Sequence, residues 1–221
     1  MAAKKALIVW GGWDGHTPKE SAQLTAAILR NEGFDAELSN TLDAYLDTAK
    51  LAGLNLIVPV WTMGSITPEQ EKGLLEAVTA GVGLAGFHGG IVDSFRNSTD
   101  YQWMTGAQWV AHPGGCIPAY KVVIADKLHP VTRGIADFEL RGTEQYYMHV
   151  DPGNHVLATT TFSGAHGDAT QYRPGTVMPY AWTKQWGRGR VFVAAWGHTD
   201  KDFATPEARE VLRRGLLWAA R

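Results

Sequence analysis

Three histidines lie where buried strands are predicted to end. His16, His88 and His198 each follow a short apolar run of the length of a strand. In an open parallel sheet the carboxyl ends of the strands share one edge, and ligands bind beyond that edge. We therefore predict that the three imidazoles meet in one site. Such a set suits zinc or another divalent metal ion, with one position left for water or substrate.

His88 stands in the segment GFHGG, residues 86–90. The pattern small-x-nucleophile-x-small is typical of the nucleophile elbow, a tight turn from a strand into a helix that exposes one side chain. Histidine is a poor acyl nucleophile but a good base and metal ligand. The pattern therefore predicts that His88 is both a catalytic residue and a metal ligand.

A second polar cluster lies in the segment GTEQYYMHV, residues 142–150. Glu144 offers a carboxylate for general acid or base catalysis, and Tyr146 offers a hydroxyl that could orient a substrate. We predict both as catalytic residues and His149 as a substrate contact. The alternative is an exposed antiparallel strand whose polar residues alternate.

Other side chains near the predicted strand ends are candidates for substrate binding. Flat indole rings stack on sugar faces, although ordinary burial of tryptophan is the alternative. His112 precedes a proline, so it is either a loop-shaping residue or a further contact. The predicted substrate contacts, besides His149, are Trp13, Asp14, Trp61, His112 and Trp196.

The elements that must position these residues follow an α/β pattern. Apolar strands and helices alternate up to residue 87, which predicts a parallel sheet flanked by helices with right-handed crossovers. Thr17 with Glu20, and Thr67 with Gln70, have the spacing of helix capping boxes. After His88 the strand candidates are separated by turns, which indicates an antiparallel extension before a final helix at 205–220. We predict a single domain over residues 1–221.

Composition limits the partners. The 221-residue chain has a formal net charge of −2 and no run of basic residues, so neither nucleic acid nor an anionic membrane surface is an expected partner. The single cysteine, Cys116, cannot form an internal disulfide, which fits a reducing compartment. The apolar run 6–10 is shorter than the roughly 7–15 residues that the apolar segment of a signal sequence needs. We expect a cytoplasmic protein that binds a small molecule, and an apolar edge strand is compatible with a homo-oligomer.

Several segments occur in a specific order and spacing along the chain, namely GLAGFHGG, YQWMTGAQWVAHPG, TEQYY and WGHTDKDF. In these segments the chain resembles the ThuA-like family, the trehalose-utilisation proteins, over essentially its whole length. The resemblance implies a flavodoxin-like fold of the class I glutamine amidotransferase type, with His88 where amidotransferases carry cysteine, so glutaminase activity is not expected. It also implies a role in carbohydrate catabolism, with 3-keto derivatives of disaccharides as substrates and a bound zinc. No nucleotide cofactor is expected.

Two positions depart from the family pattern. Many relatives have an Asp–Glu pair where Thr143 and Glu144 stand, and a histidine where Met178 stands. These differences argue against a two-carboxylate mechanism and a fourth histidine ligand.

We expect a lyase, hydrolase or isomerase that uses metal- or histidine-assisted acid/base chemistry on an oxidised sugar. One alternative is a non-catalytic sugar-binding or regulatory protein. Another is a hydrolase of a different substrate class that uses Ser65 or Ser94.

Overall fold

A nine-stranded mixed sheet forms the centre of the protein, as described by a computed structural model covering residues 3–167 and 170–221. The strands of this sheet are β1 (Lys5–Gly12), β2 (Asp35–Ser39), β3 (Leu56–Thr62), β4 (Gly83–Phe87), β6 (Cys116–Ile124), β7 (Phe138–Glu144), β9 (His155–Thr161), β10 (Val177–Trp186) and β11 (Gly189–Ala194). The strands β5 (Ala107–Ala111) and β8 (Tyr147–Val150) belong to a second sheet. The helices are α1 (Pro18–Asn31), α2 (Thr48–Ala52), α3 (Pro68–Thr79), α4 (Gly89–Val92), α5 (Thr99–Thr105) and α6 (Pro206–Ala219).

One half of the sheet is parallel, with the strand order β2-β1-β3-β4-β11. This is the flavodoxin-like order, in which the chain turns in opposite directions from β1 and from β3. Ligands of such sheets bind at this switch point, beyond the carboxyl ends of the strands. The predicted α/β fold of the flavodoxin-like type is confirmed.

The other half is antiparallel and continues the sheet as β11-β10-β9-β6-β7. The predicted antiparallel extension is therefore confirmed. A separate two-stranded sheet pairs β5 with β8. Strand β7 is the edge of the large sheet, and its last residue is Glu144.

The core consists of apolar residues of the central strands, which are covered by helices. Strand β4, almost all of β3 and residues 6–9 of β1 are buried, which is typical of parallel strands covered on both faces. Helix α1 packs on β1, and α6 packs on β4 and β11. Within the described ranges, no helix is long and apolar enough to cross a membrane.

Only one of the two predicted capping boxes forms. The Thr67 hydroxyl accepts from the Gln70 backbone N–H at 3.3 Å, and the Gln70 side chain accepts from the Thr67 N–H at 3.1 Å. Thr17 instead has left-handed backbone angles, φ 44° and ψ 53°, and its side chain makes no capping hydrogen bond to α1. The predicted capping box of Thr17 with Glu20 is therefore wrong. The physical reason is the 3₁₀ turn at Asp14–His16, which ends at Thr17 and removes the extended geometry of an N-cap.

Candidate metal centre and pocket

His88 occupies a strained turn between β4 and α4. Its backbone angles are φ 50° and ψ −147°, and its N–H donates to the Ala194 carbonyl of β11 at 2.8 Å. A non-glycine residue in such a conformation costs about 1–3 kcal/mol and is typical of functional sites. A Cβ at Gly86 would lie 2.8 Å from the Ile91 Cβ, which is too close for the turn to pack. The turn therefore has the geometry of the elbow that the sequence pattern predicts.

Four side chains converge beyond the strand ends. One ligand atom from each of His16, His88, Glu144 and His198 lies within 4.8 Å of every other. Glu144 Oε2 is 3.8 Å from His16 Nε2, 3.5 Å from His88 Nε2 and 3.2 Å from His198 Nδ1. The three histidines come from loops that follow β1, β4 and β11, and the glutamate ends β7. The structure thus brings together the three predicted histidines and adds Glu144 to them.

This four-residue cluster contains buried polar atoms without partners. His88 is 1 % exposed, and neither of its ring nitrogens has a hydrogen-bond partner among the described residues. Glu144 Oε2 and His198 Nδ1 are also unpartnered, since their 3.2 Å approach is not aligned as a hydrogen bond. Buried polar atoms are nearly always paired, so several orphans in one place point to a shared binding partner. Three imidazoles and one carboxylate fit zinc or another divalent first-row ion.

The charge states of the cluster also fit metal binding. Burial, followed by repulsion from His16, holds the pKa of His88 well below its usual value, so its ring stays neutral. Burial acts to raise the pKa of Glu144, but His16 and His198 outweigh it and hold this pKa well below its usual range. Glu144 is therefore a carboxylate near neutral pH. Its carboxylate raises the pKa of His198, which favours the protonated ring, so a metal ion that binds there would have to displace this proton. Neutral imidazoles and ionised carboxylates are the forms that bind metal ions.

Neighbouring groups hold the His16 and His88 rings in place. His16 Nδ1 is hydrogen-bonded to Thr62 Oγ1 at 2.9 Å, which leaves Nε2 facing Glu144. The Tyr146 ring stacks on His88, with centroids 3.8 Å apart. Contacts of this kind orient metal ligands and raise metal affinity.

Two buried tyrosines position the backbone around Glu144. The Tyr120 hydroxyl donates to the Glu144 carbonyl at 2.9 Å, and the Tyr180 hydroxyl accepts from the Tyr146 N–H at 2.9 Å. Burial raises the pKa of both tyrosines, so both hydroxyls remain neutral. The end of β7 is thereby fixed relative to β6 and β10.

Asp202 joins two parts of the cluster. Its Oδ2 accepts from Thr143 Oγ1 at 2.7 Å and from the His198 N–H at 2.9 Å. Thr143 thus links the end of β7 to the loop that carries His198. This contact gives Thr143 a structural role.

A small pocket opens beside the cluster. Its volume is about 110 Å³, and its wall includes His16, Glu144 and Tyr146. His112 lies on the same wall, with Nε2 3.6 Å from Glu144 Oε1. Trp13, 45 % exposed, forms part of the rim. Pockets that enclose whole drug-sized ligands have roughly 300–1,000 Å³, so this one holds only part of such a molecule.

A match to a protein-family model shows the family to which the chain belongs. The model of ThuA, described as trehalose utilisation, matches residues 5–219. The chain belongs to the ThuA family. Its resemblance to that family, expected from the sequence motifs, is confirmed, and with it a general role in carbohydrate metabolism.

Solved structures show the same fold. A ThuA-like protein from Bacteroides uniformis superposes with a TM-score of 0.81 at 18% identity, covering 99% of this chain and 93% of that one. A ThuA-like protein from Parabacteroides merdae gives 0.77 at 21% identity, covering 99% and 90%. A cytoplasmic protein from Salmonella typhimurium LT2 gives 0.69 at 14% identity, covering 98% and 100%. No curated protein matches the chain.

Several predicted substrate contacts of this ThuA chain lie away from the pocket. Trp196 is fully buried and its Nε1 lies 3.4 Å from the Ala208 carbonyl of α6, so its prediction is wrong. His149 is exposed on β8 beside Trp103, outside the pocket wall. Asp14 is exposed in the 3₁₀ turn, and Trp61 packs over Gly11 and Gly64. Neither side chain lines the pocket, while Trp13 and His112 do.

The serines considered for a hydrolase are poorly placed in this ThuA fold. Ser94 is buried and hydrogen-bonded to the Gly90 carbonyl at 2.9 Å and to the Tyr101 hydroxyl at 3.2 Å. Ser65 is exposed. Neither serine has a histidine partner among the described residues, so nothing in these residues activates a serine nucleophile.

The pocket wall also contains four residues that no sequence pattern marked, namely Thr62, Met63, Asp93 and Arg96. One structural signal marks this region. Within the described ranges, the non-glycine residues with positive φ are Thr17, Met63 and His88, and each is part of the site or adjacent to it. Backbone strain of this kind concentrates at functional sites.

Proposed function

We propose that this ThuA protein is a metal-dependent enzyme of carbohydrate catabolism that acts on an oxidised sugar such as a 3-keto-disaccharide. One observation carries the proposal: four ligand groups, three histidines and one glutamate, of which all but the half-buried His198 are buried, converge beside a pocket with an aromatic rim. The family description of trehalose utilisation supports the substrate class.

His16, His88, His198 and Glu144 would hold the ion. A bound divalent ion would supply an electrophile that polarises a carbonyl oxygen or lowers the pKa of water. Because four protein ligands fill a tetrahedral site, the carbonyl oxygen or water would have to bind as a fifth ligand. Thr62 keeps His16 Nε2 turned towards the cluster, and Tyr146 keeps the His88 ring in place. These contacts reduce the rearrangement that metal binding requires.

A keto group makes the adjacent C–H bond acidic, so elimination, hydration and isomerisation all need one electrophile and one proton-holding group. Glu144 Oε1 and His112 Nε2 are 3.6 Å apart on the pocket wall. These two groups can hold a proton beside the substrate. Because Glu144 lies among the three histidines, its role combines metal binding with proton transfer, rather than the separate acid/base role expected from sequence.

The pocket has space for one part of a disaccharide. One ring would reach the cluster, and the remainder would lie outside against Trp13, whose indole can stack on a sugar face. The enzyme would act in the cytoplasm on a small-molecule carbohydrate, without nucleic acid or membrane as partner, and as a monomer or homo-oligomer. The name of the Salmonella relative, a cytoplasmic protein, supports this location.

The test is turnover of 3-ketotrehalose by zinc-loaded protein and by His88→Ala. His155→Ala is the control, because this exposed histidine lies away from the pocket. Its Nε2 is 2.8 Å from Asp126 Oδ2. We expect turnover by the wild type and the control, with His88→Ala folded but inactive. Turnover that His88→Ala and chelation leave unchanged would refute the proposal. Calorimetry that detects sugar binding without product would favour the non-catalytic alternative.

A further inference from the structure

A second polar group in the pocket wall is built around Asp93 and Arg96. Asp93 follows α4 and is 3 % exposed. Its Oδ1 and Oδ2 accept from Arg96 Nε at 2.6 Å and Nη2 at 2.8 Å. Gln108 Nε2 also donates to Asp93 Oδ1, at 3.1 Å. The carboxylate therefore holds the arginine through two hydrogen bonds and is itself held by a third group.

Arg96 is fixed in place although about half of its side chain is exposed. Its guanidinium carbon lies 4.8 Å from the centroid of the Trp109 ring, which is within the range of a cation–π contact. An arginine that is oriented in advance loses little conformational entropy when it binds a ligand. Its position in the wall of the pocket makes it a ready contact for whatever enters.

Two hydrogen-bond donors of this wall lack acceptors. Arg96 Nη1 makes no hydrogen bond to the described residues, and because about half of the Arg96 side chain is exposed, this atom is open to solvent and to a ligand. Trp109 Nε1 is buried and is also unpartnered. Both atoms can only donate, so a ligand that satisfies them must offer a hydrogen-bond acceptor, and the acceptors of a sugar are its oxygen atoms.

The charge of Arg96 is already balanced by Asp93. A guanidinium without such a partner favours carboxylates and phosphates, with which it forms charge-assisted pairs. With the Asp93 carboxylate in direct contact, the wall donates hydrogen bonds but has no net positive charge to attract an anion. A carboxylate brought there would also face the repulsion of Asp93.

We propose that Arg96 and Trp109 bind a neutral oxygen of the sugar, a hydroxyl or a carbonyl, and that Asp93 makes the pocket select neutral sugars over sugar acids. The inference rests on the proposed function for the presence of a sugar. It assigns the recognition of that sugar to residues outside the metal cluster.

The test compares glucose with glucuronate, which has a carboxylate where glucose has its CH₂OH group. Binding of each probe is measured by calorimetry or saturation-transfer NMR for wild type, Asp93→Asn and Arg96→Gln, with zinc and in excess chelator. The affinities for the two sugars are compared in the metal-free protein, because a bound ion would itself attract the glucuronate carboxylate. Asp100→Asn, an exposed aspartate on α5, is the matched control. Zinc affinity is measured in parallel, because the pair is not part of the cluster and its variants should bind zinc as the wild type does.

We expect wild type and Asp100→Asn to prefer glucose. In Asp93→Asn, the affinity for glucuronate relative to glucose should rise by about tenfold, since hydrogen bonds to charged groups are roughly twice as strong as neutral ones. Arg96→Gln should weaken glucose binding without this gain. It also serves as the second variant if Asp93→Asn fails to fold.

An unchanged ratio in Asp93→Asn, or glucose binding by Arg96→Gln equal to that of the wild type, would overturn this inference and leave the metal proposal intact. Wild-type protein that binds zinc but neither sugar would overturn both this inference and the carbohydrate substrate. Failure of the wild type to bind zinc would count against the proposed metal centre alone.

Discussion

Gly89→Ala should damage the metal centre by crowding one of its ligands. Gly89 is the first residue of α4, directly after His88. A Cβ at this position would lie 2.6 Å from His16 Cε1 and 2.8 Å from His16 Nδ1, and 3.0 Å from Thr62 Cγ2. The glycine does not have a positive φ, so alanine brings no backbone strain of that kind. The effect of the substitution is therefore a steric one on His16.

The size of the effect follows from these distances. Carbon atoms in contact prefer a separation of about 3.5–4.0 Å, so the His16 ring must move by about 1 Å. Metal–ligand distances tolerate only about 0.2 Å. Losing the partner that orients a ligand typically reduces metal affinity about 10- to 100-fold, and we expect a loss of that size. Overpacking should also lower the free energy of unfolding of the metal-free protein by about 1–3 kcal/mol.

The assay is competition for zinc with a chromogenic chelator, together with thermal unfolding in excess chelator. Each kcal/mol should lower Tm by about 2–4 °C in a domain of this size. Gly53→Ala is the control, because Gly53 is exposed at the end of α2 and its added Cβ meets only the Lys50 carbonyl oxygen, at 3.3 Å. Zinc affinity equal to that of the wild type in Gly89→Ala would refute the claim that His16 is a ligand held in a tightly packed position.

Three further predictions test other parts of the structure. Thr62→Val removes the hydrogen bond to His16 and should weaken zinc binding about tenfold or more, while Thr62→Ser should restore it, as measured by chelator competition. Tyr180→Phe leaves a buried backbone N–H beside Glu144 unpaired and should lower the free energy of unfolding in urea by about 1–3 kcal/mol; an unchanged value would contradict its positioning role. Arg213 lies beside Glu210 and lowers the pKa of the Glu210 carboxyl from 4.5 to about 2. The stability that this ion pair contributes is therefore present above pH 4.5 and is lost as the pH falls towards 2. The stability difference between the wild type and Glu210→Gln should shrink over that interval in acid titrations; a difference as large at pH 2 as at neutral pH would contradict the ion pair.

The convergence of the three histidines could be predicted from sequence because it depends on local patterns and one topological rule. Each follows an apolar strand, and parallel strands end at the same edge of the sheet. The GFHGG pattern likewise encodes the turn at His88, since its glycines allow contacts that a Cβ would block.

Other parts of the site depend on long-range pairing that no local pattern reveals. Glu144 reaches the cluster because β7 pairs with β6 at the far edge of the sheet. Asp93 and Arg96 reach the pocket through a loop that is tied to the loop after β3 by an isolated bridge, Gly64 to Phe95. Trp196 shows the opposite error: it lies just after a strand, yet its ring fills space under α6. A residue that follows a strand can therefore be placed at an edge of the sheet from sequence, but the direction of its side chain cannot be predicted in this way.

The central claim is that His16, His88, His198 and Glu144 hold one metal ion. X-ray diffraction from zinc-loaded crystals, collected on both sides of the zinc absorption edge, tests it directly. We expect one anomalous peak per chain, with the three histidine nitrogens and a Glu144 oxygen at about 2.0–2.2 Å from it. A peak at other residues, or none at these four when zinc is in excess, would contradict the account.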